Sequence, residues 1–167
     1  MGSFSHVDKG HVSMVDVGAK PPTPRYAAAA ATVTLPAEAY AALHHNAKGP
    51  VVQTARLAAI AAAKRTAELI PLCHSLPLSH VAVDVAERAD ACQLHITASA
   101  SCVGSTGVEM EALTAASVAA LTVYDMCKSA SKGIVISEIR LLEKRGGESG
   151  HWKAELCELS GASVPSR

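Results

Sequence analysis

Lys48, Asp125 and Lys128 are residues of this 167-residue chain whose types and spacing could serve to move protons. Ammonium and carboxylate groups held together can pass a proton to or from a bound substrate when burial and neighbouring charge tune their protonation. Asp125 stands three residues before Lys128, so on a helix the two lie side by side. At the start of the same segment Glu109, Met110 and Glu111 place two carboxylates at the positive pole of the helix dipole. Lys48 precedes Gly49 and Pro50 at the start of another helical segment, where a lysine opposes the dipole and local stability does not explain it. A phosphate there would meet unpaired backbone donors and a mobile ammonium together. Each feature also has a plain alternative: a surface salt bridge for Asp125 and Lys128, dipole partners for the glutamates, and a solvated loop lysine for Lys48.

The elements that must position these groups follow from periodicity. Thr106 to Lys128 reads as one long helix, with Thr106 and Glu109 at capping-box spacing. Met110, Leu113, Ser117, Leu121 and Tyr124 recur at three and four, so this stripe is expected to face inward, with Lys128 at its end. Tyr26 to Val33 reads as a strand, and Pro36 to His45 as a short helix with Thr34 as its cap. A further helix starts at Pro50 and must stop before Pro71, because proline disfavours the helical conformation in the residue preceding it. Val81 to Val85 and Cys92 to Ala100 alternate as two strands of a hairpin around Glu87 to Asp90, and Ile134 to Leu142 reads as a last strand. This order predicts an α+β fold, ferredoxin-like, with a single layer of helices on a mainly antiparallel four-stranded sheet. The expected organisation is an N-terminal arm or loop over 1–25, a catalytic α+β domain over 26–145, and a flexible C-terminal tail over 146–167.

Composition narrows the class of function. Fifteen basic residues balance 15 acidic ones, so there is no general field to hold nucleic acid or an anionic membrane, and any anion site must be local. Apolar residues make up 49%, enough for one globular core, yet no apolar run is long enough to span a bilayer. An intracellular, cytoplasmic location is expected. The five cysteines are widely spaced with no C-x-x-C pair, so reduced thiols are expected. Cys73 and His74 are adjacent, which suits one metal poorly, and no metal site is assigned.

The run from Gly107 to Lys128 closely resembles the signature of the cyclic pyranopterin monophosphate synthase family, also called the molybdenum cofactor biosynthesis protein C family. Met14 to Val17 with Ala19 and Lys20, Lys48-Gly49, Thr54 to Arg56, Ala62 to Thr66, Leu69 to His74, and Gly146-Gly147 follow in the same order. The resemblance implies a lyase that converts 3',8-cyclo-7,8-dihydro-GTP to cyclic pyranopterin monophosphate, releasing pyrophosphate. It implies Asp125, Lys128 and Lys48 as catalytic residues. Substrate-binding residues would be Leu72, Cys73, His74, Met110, Glu111, Glu109, Lys64 and Arg65, with Lys64 and His74 toward the phosphates. No cofactor is required by these motifs, although a magnesium ion can accompany a triphosphate. The chain departs from the family pattern at Pro50, where Asp is common, at Ser75, where Pro often follows Cys-His, and at Ser105, where a basic or amide residue is frequent.

Glu111 and Asp125 are 14 positions apart, about 21 Å along an unbroken helix at about 1.5 Å per residue. One small pterin cannot touch both. Either an extended nucleotide bridges them or two subunits bring opposite helix ends together. The resemblance implies the latter, with sites at dimer interfaces within a homohexamer. Two readings without turnover, a nucleotide- or pterin-binding assembly and a ligand-free structural oligomer, leave the acid/base pair or Lys48 without a task.

Overall fold

Strand formation begins where small and β-branched residues alternate between two buried faces. A computed structural model describes residues 7–8 and 11–155. In chain order the strands and α-helices are β1 (Val7–Asp8), β2 (His11–Val12), β3 (Thr23–Thr34), α1 (Ala37–Ala41), α2 (Val51–Ala63), α3 (Thr66–Leu69), β4 (Leu78–Arg88), β5 (Gln93–Gly104), α4 (Glu109–Cys127), β6 (Val135–Arg145) and β7 (Trp152–Lys153). β1 and β2 pair as a small ribbon, and the other strands form one antiparallel sheet in the order β4-β5-β3-β6-β7. The four long strands and their crossover helices have the ferredoxin-like arrangement. The two-residue β7 adds an edge strand within the segment expected to be a tail, and the chain beyond residue 155 lies outside the described residues.

β3 is the central strand, paired with β5 from Thr23↔Gly104 to Thr34↔Gln93 and with β6 on its other side. Its Ala27, Ala29, Ala31 and Val33 join the main core, whereas Ala28 and Ala30 lie with Leu142 and Tyr26 in a separate cluster. The alternation is what a strand of period two requires when both faces are covered by small side chains. Onto the first face pack α2, through Val51, Ala55, Ala59 and Ala63, and α4, through Ala112, Ala115, Ala116, Ala119, Ala120 and Val123.

The inward face of α4 is therefore not the expected stripe of large residues. Leu121 is 58% exposed and Met110 37%, Leu113 and Tyr124 pack only partly against the core, and the alanines occupy the seam. Both stripes recur at helical spacing, but a sheet surface of alanines accepts close approach, and the least voluminous face of the helix fits it. The capping box also does not form. α4 starts at Glu109 with Val108 as N-cap and no side-chain cap, so Glu109 is too early in the helix to be the third residue. Its carboxylate instead lies 3.6 Å from the Lys144 ammonium. Thr34 does not cap α1 either: it ends β3 and accepts a hydrogen bond from Gln93, while Pro36 takes the N-cap position. The helix after Pro50 divides into α2 and α3 at Lys64 and Arg65, where Arg65 leaves helical geometry.

Because the seam is close-packed, enlarging it should cost more than truncating a surface side chain. Ala116→Leu is expected to destabilise the fold by about 1–3 kcal/mol, read as a melting temperature lowered by about 2–4 °C per kcal/mol. Lys132→Ala should stay within about 0.5 kcal/mol. An unchanged melting temperature for Ala116→Leu would show that the seam has room to spare.

Candidate active site

The charged groups of α4 collect at its two ends, because its middle is committed to the alanine seam and the hydroxyls there, Ser117 and Thr122, bond back to the helix backbone. At the C-terminal end Lys48, Asp125 and Lys128 come together. The Lys48 ammonium donates to Asp125 Oδ2 and to the Asp125 backbone carbonyl, each at 2.9 Å, and Lys128 Nζ lies 2.7 Å from Asp125 Oδ1. Two cations thus share one carboxylate. Asn46 holds Lys48 in reach, since its side-chain amide donates to the Met126 carbonyl at 2.8 Å and its Oδ1 accepts the Lys48 N–H at 2.9 Å. The next residue, Gly49, has φ +106°, a conformation in which a side chain is strained, and it closes a turn onto the Asn46 carbonyl. Asn46 has no partner recognisable from local spacing, and its place became evident only from the approach of its loop to α4.

The two ammoniums fix the charge of Asp125. Hydrogen bonding from Lys128, then from Lys48, holds its carboxyl down to about 2, and the same contact with Asp125 raises Lys128 above the ordinary lysine value. All three side chains are about half exposed. The cluster can bind an anion or exchange protons while Asp125 remains ionised.

At the N-terminal end of α4 lies a cavity of about 570 Å³. Leu72, Cys73 and His74 from the loop after α3 line it, together with Glu109, Met110 and Glu111. Glu111 is 4% exposed, and burial, aided by the nearby Glu109 charge, raises the pKa of its carboxyl against the pull of its own backbone N–H. Burial and the Glu111 charge also push the Cys73 and Cys102 thiols up. Lys20, Arg25 and Thr106 also border the cavity, as does the segment Gly147 to Ser149. Arg25 Nε donates to the Gly104 carbonyl at 3.1 Å. Gly146 is at φ +96°, where a Cβ would collide with the Pro24 carbonyl, so the C-terminal segment can lie against the cavity wall only with glycine there.

The six residues assigned around Cys73 and Glu111 share this cavity, and the three around Asp125 share the other cluster, but no residue belongs to both. Lys64 and Arg65 are exposed at the α2–α3 junction and do not line the cavity. α2 and α4 run antiparallel, since Lys48 before α2 meets the end of α4; the junction consequently sits toward the cavity end of the helix pair. Lys20 and Arg25 carried no chemical signal of their own: Lys20 lay in a family-like block without an assigned role, and Arg25 in a proline-rich stretch.

Among the described residues no group of three or more His, Cys, Asp or Glu side chains gathers as a metal site. Cys73, Cys92, Cys102 and Cys127 are free thiols, and Cys157 lies outside the described residues. No described helix is long and apolar enough to cross a membrane.

The MoaC family model matches residues 14–147, which contain both clusters. Cyclic pyranopterin monophosphate synthases of Bordetella parapertussis and Bordetella pertussis are each 54% identical to the chain over 154 residues, covering 90% of it and 96% of their own length. That of Bordetella petrii is 54% identical over 154 residues, with 95% of its length covered.

Asp125 offers a direct check on the C-terminal cluster. Its folded value lies below the ordinary 3.8, so the stabilisation it contributes is complete above the ordinary carboxyl range and is lost as pH falls through about 2. Carboxyl NMR should place its midpoint near 2, and Lys128→Ala should raise that midpoint more than Lys48→Ala does. A midpoint unmoved by either substitution would mean that the ammoniums are not its cause.

Proposed function

The chain belongs to the MoaC family, and on that premise we propose how its residues divide the work of a cyclic pyranopterin monophosphate synthase. The reaction is that of a lyase in molybdenum cofactor biosynthesis: 3',8-cyclo-7,8-dihydro-GTP is rebuilt to cyclic pyranopterin monophosphate with release of pyrophosphate. The observation that carries the assignment of roles is the convergence of Lys48 and Lys128 on the two carboxylate oxygens of Asp125.

The heterocycle enters the cavity. Met110 and Leu72 supply apolar contact, and Glu111, whose burial favours its protonated form, can both donate to and accept from the guanine-derived nitrogens. Glu109 and Cys73 border the same ring system, and His74 turns toward the phosphates. Lys20 and Arg25 add cations at the cavity wall, and Lys64 and Arg65 meet the far end of an extended triphosphate. Asp125, ionised at neutral pH, keeps the two ammoniums in register, and Lys48 and Lys128 move protons as the rings open and reform. Their charge also stabilises the departing pyrophosphate. A magnesium ion, where one accompanies the triphosphate, would be held chiefly by phosphate oxygens.

The heterocycle alone cannot span the length of α4, and of the two ways to join its ends we favour assembly: the cavity of one protomer works with the Lys48, Asp125 and Lys128 cluster of another. An isologous two-fold contact brings opposite helix ends together and creates two equal sites. We assign this contact to dimers that build a cytoplasmic homohexamer.

Incubation with the cyclised dihydro-GTP should yield pyrophosphate and the pterin product, both followed by chromatography. Lys128→Ala should lower turnover by about a hundredfold or more; binding without product in the unmodified protein would instead indicate a non-catalytic assembly. Mixing Lys128→Ala with Glu111→Ala subunits should restore up to about a quarter of full activity, because mixed dimers keep one intact site. No recovery on mixing would place the whole site within one subunit.

A further inference from the structure

The segment between β2 and β3 has no regular structure, yet it brings Val15, Val17 and Lys20 to the cavity. An irregular arm of this kind remains in place only if its backbone groups find partners. Inside the arm, Asp16 Oδ1 accepts the Gly18 N–H at 2.8 Å and the Val17 carbonyl accepts the Lys20 N–H at 3.0 Å, so residues 16–20 form a closed turn. The cavity wall grips this turn at its two ends. His74 Nε2 lies 2.8 Å from the Val15 carbonyl, and Ser105 Oγ donates to the Lys20 carbonyl at 2.8 Å. A carbonyl can only accept, so His74 Nε2 carries hydrogen and Nδ1 is the ring nitrogen left for other partners.

We propose that Ser105 and His74 form a two-point latch that seats the arm and thereby presents the Lys20 ammonium to an anionic group of the ligand at the cavity. The inference deepens the functional reading above and rests on it for the identity of the anion, here a phosphate. Ser105 is a positioning residue: its hydroxyl is committed to the arm backbone, and it acts on the ligand through Lys20. The Lys20 ammonium lies 3.6 Å from Glu148, with Lys20 about half exposed and Glu148 mostly in solvent, so an entering phosphate exchanges a weak, screened partner for a stronger one. Ser105 stands where a basic or amide residue is frequent in the family pattern, and in this chain its hydroxyl serves the arm backbone.

Hydrogen exchange over residues 13–21 and calorimetric binding of inorganic pyrophosphate test the two halves separately. Ser105→Ala should speed exchange of the arm amides and weaken pyrophosphate binding by about three- to tenfold, and Ser105→Thr should restore both. In a Lys20→Ala background, Ser105→Ala should weaken binding no further. Unchanged exchange in Ser105→Ala would overturn the latch. An equal loss of affinity with and without Lys20, or no pyrophosphate binding by the unmodified protein, would overturn the presentation of Lys20. If pyrophosphate binds with the expected pattern but the cyclised dihydro-GTP is not converted, the latch stands and the assigned reaction falls.

Discussion

The close approach of α4 to β3 is the constraint from which the remaining geometry follows. Alanine on both sides of the contact, Ala27, Ala29 and Ala31 against Ala112, Ala115, Ala116 and Ala119, leaves little side-chain volume between helix and sheet. Such a seam gains less from hydrophobic area per residue than one of leucines, and it depends on dense packing along its whole length. It also fixes the axial position of the helix. Every charged group on α4 is consequently placed before or after the seam, at the helix ends, where the neighbouring loops can reach it.

The two ends have opposite electrostatic character. Glu111 is buried beside another carboxylate and is driven toward its neutral form, while Asp125 lies between two ammoniums and is driven toward its ionised form. Carboxyl groups of the same element are thus prepared for different tasks by environment alone, one able to donate a hydrogen bond, the other to organise cations. The distribution of the cavity lining adds to this contrast. An arm before β3 and a segment after β6 both border the cavity, so parts of the chain with little regular structure share its lining with α4 and β3.

Much of this architecture was legible in the sequence. Alternation in Val81 to Val85 and in Cys92 to Ala100 marked the hairpin, and the two prolines at Pro50 and Pro71 bounded the α2–α3 region. The sharing of the Asp125 carboxylate by Lys48 and Lys128 matches the grouping expected from spacing and family resemblance. The orientation of α4 was not legible, because large and small residues both recur at helical spacing and only the opposing alanine sheet decides between them. The caps expected at Thr106 and Thr34 do not form, and tertiary contacts engage Glu109 with Lys144 and Thr34 with Gln93 instead. Asn46, Lys20 and Arg25 depend on contacts between segments far apart in sequence, for which local pattern offers no signal.

The central place of β3 has a consequence for how the chain reaches this structure. The first long strand synthesised has its two edges completed by β5 and β6, the latter about a hundred residues downstream. A nascent chain that has not yet exposed Val135–Arg145 leaves an alanine-rich β3 edge open, the kind of unpaired edge that recruits other chains. Timely arrival of the last long strand therefore protects the growing polypeptide from aggregation as well as closing its sheet.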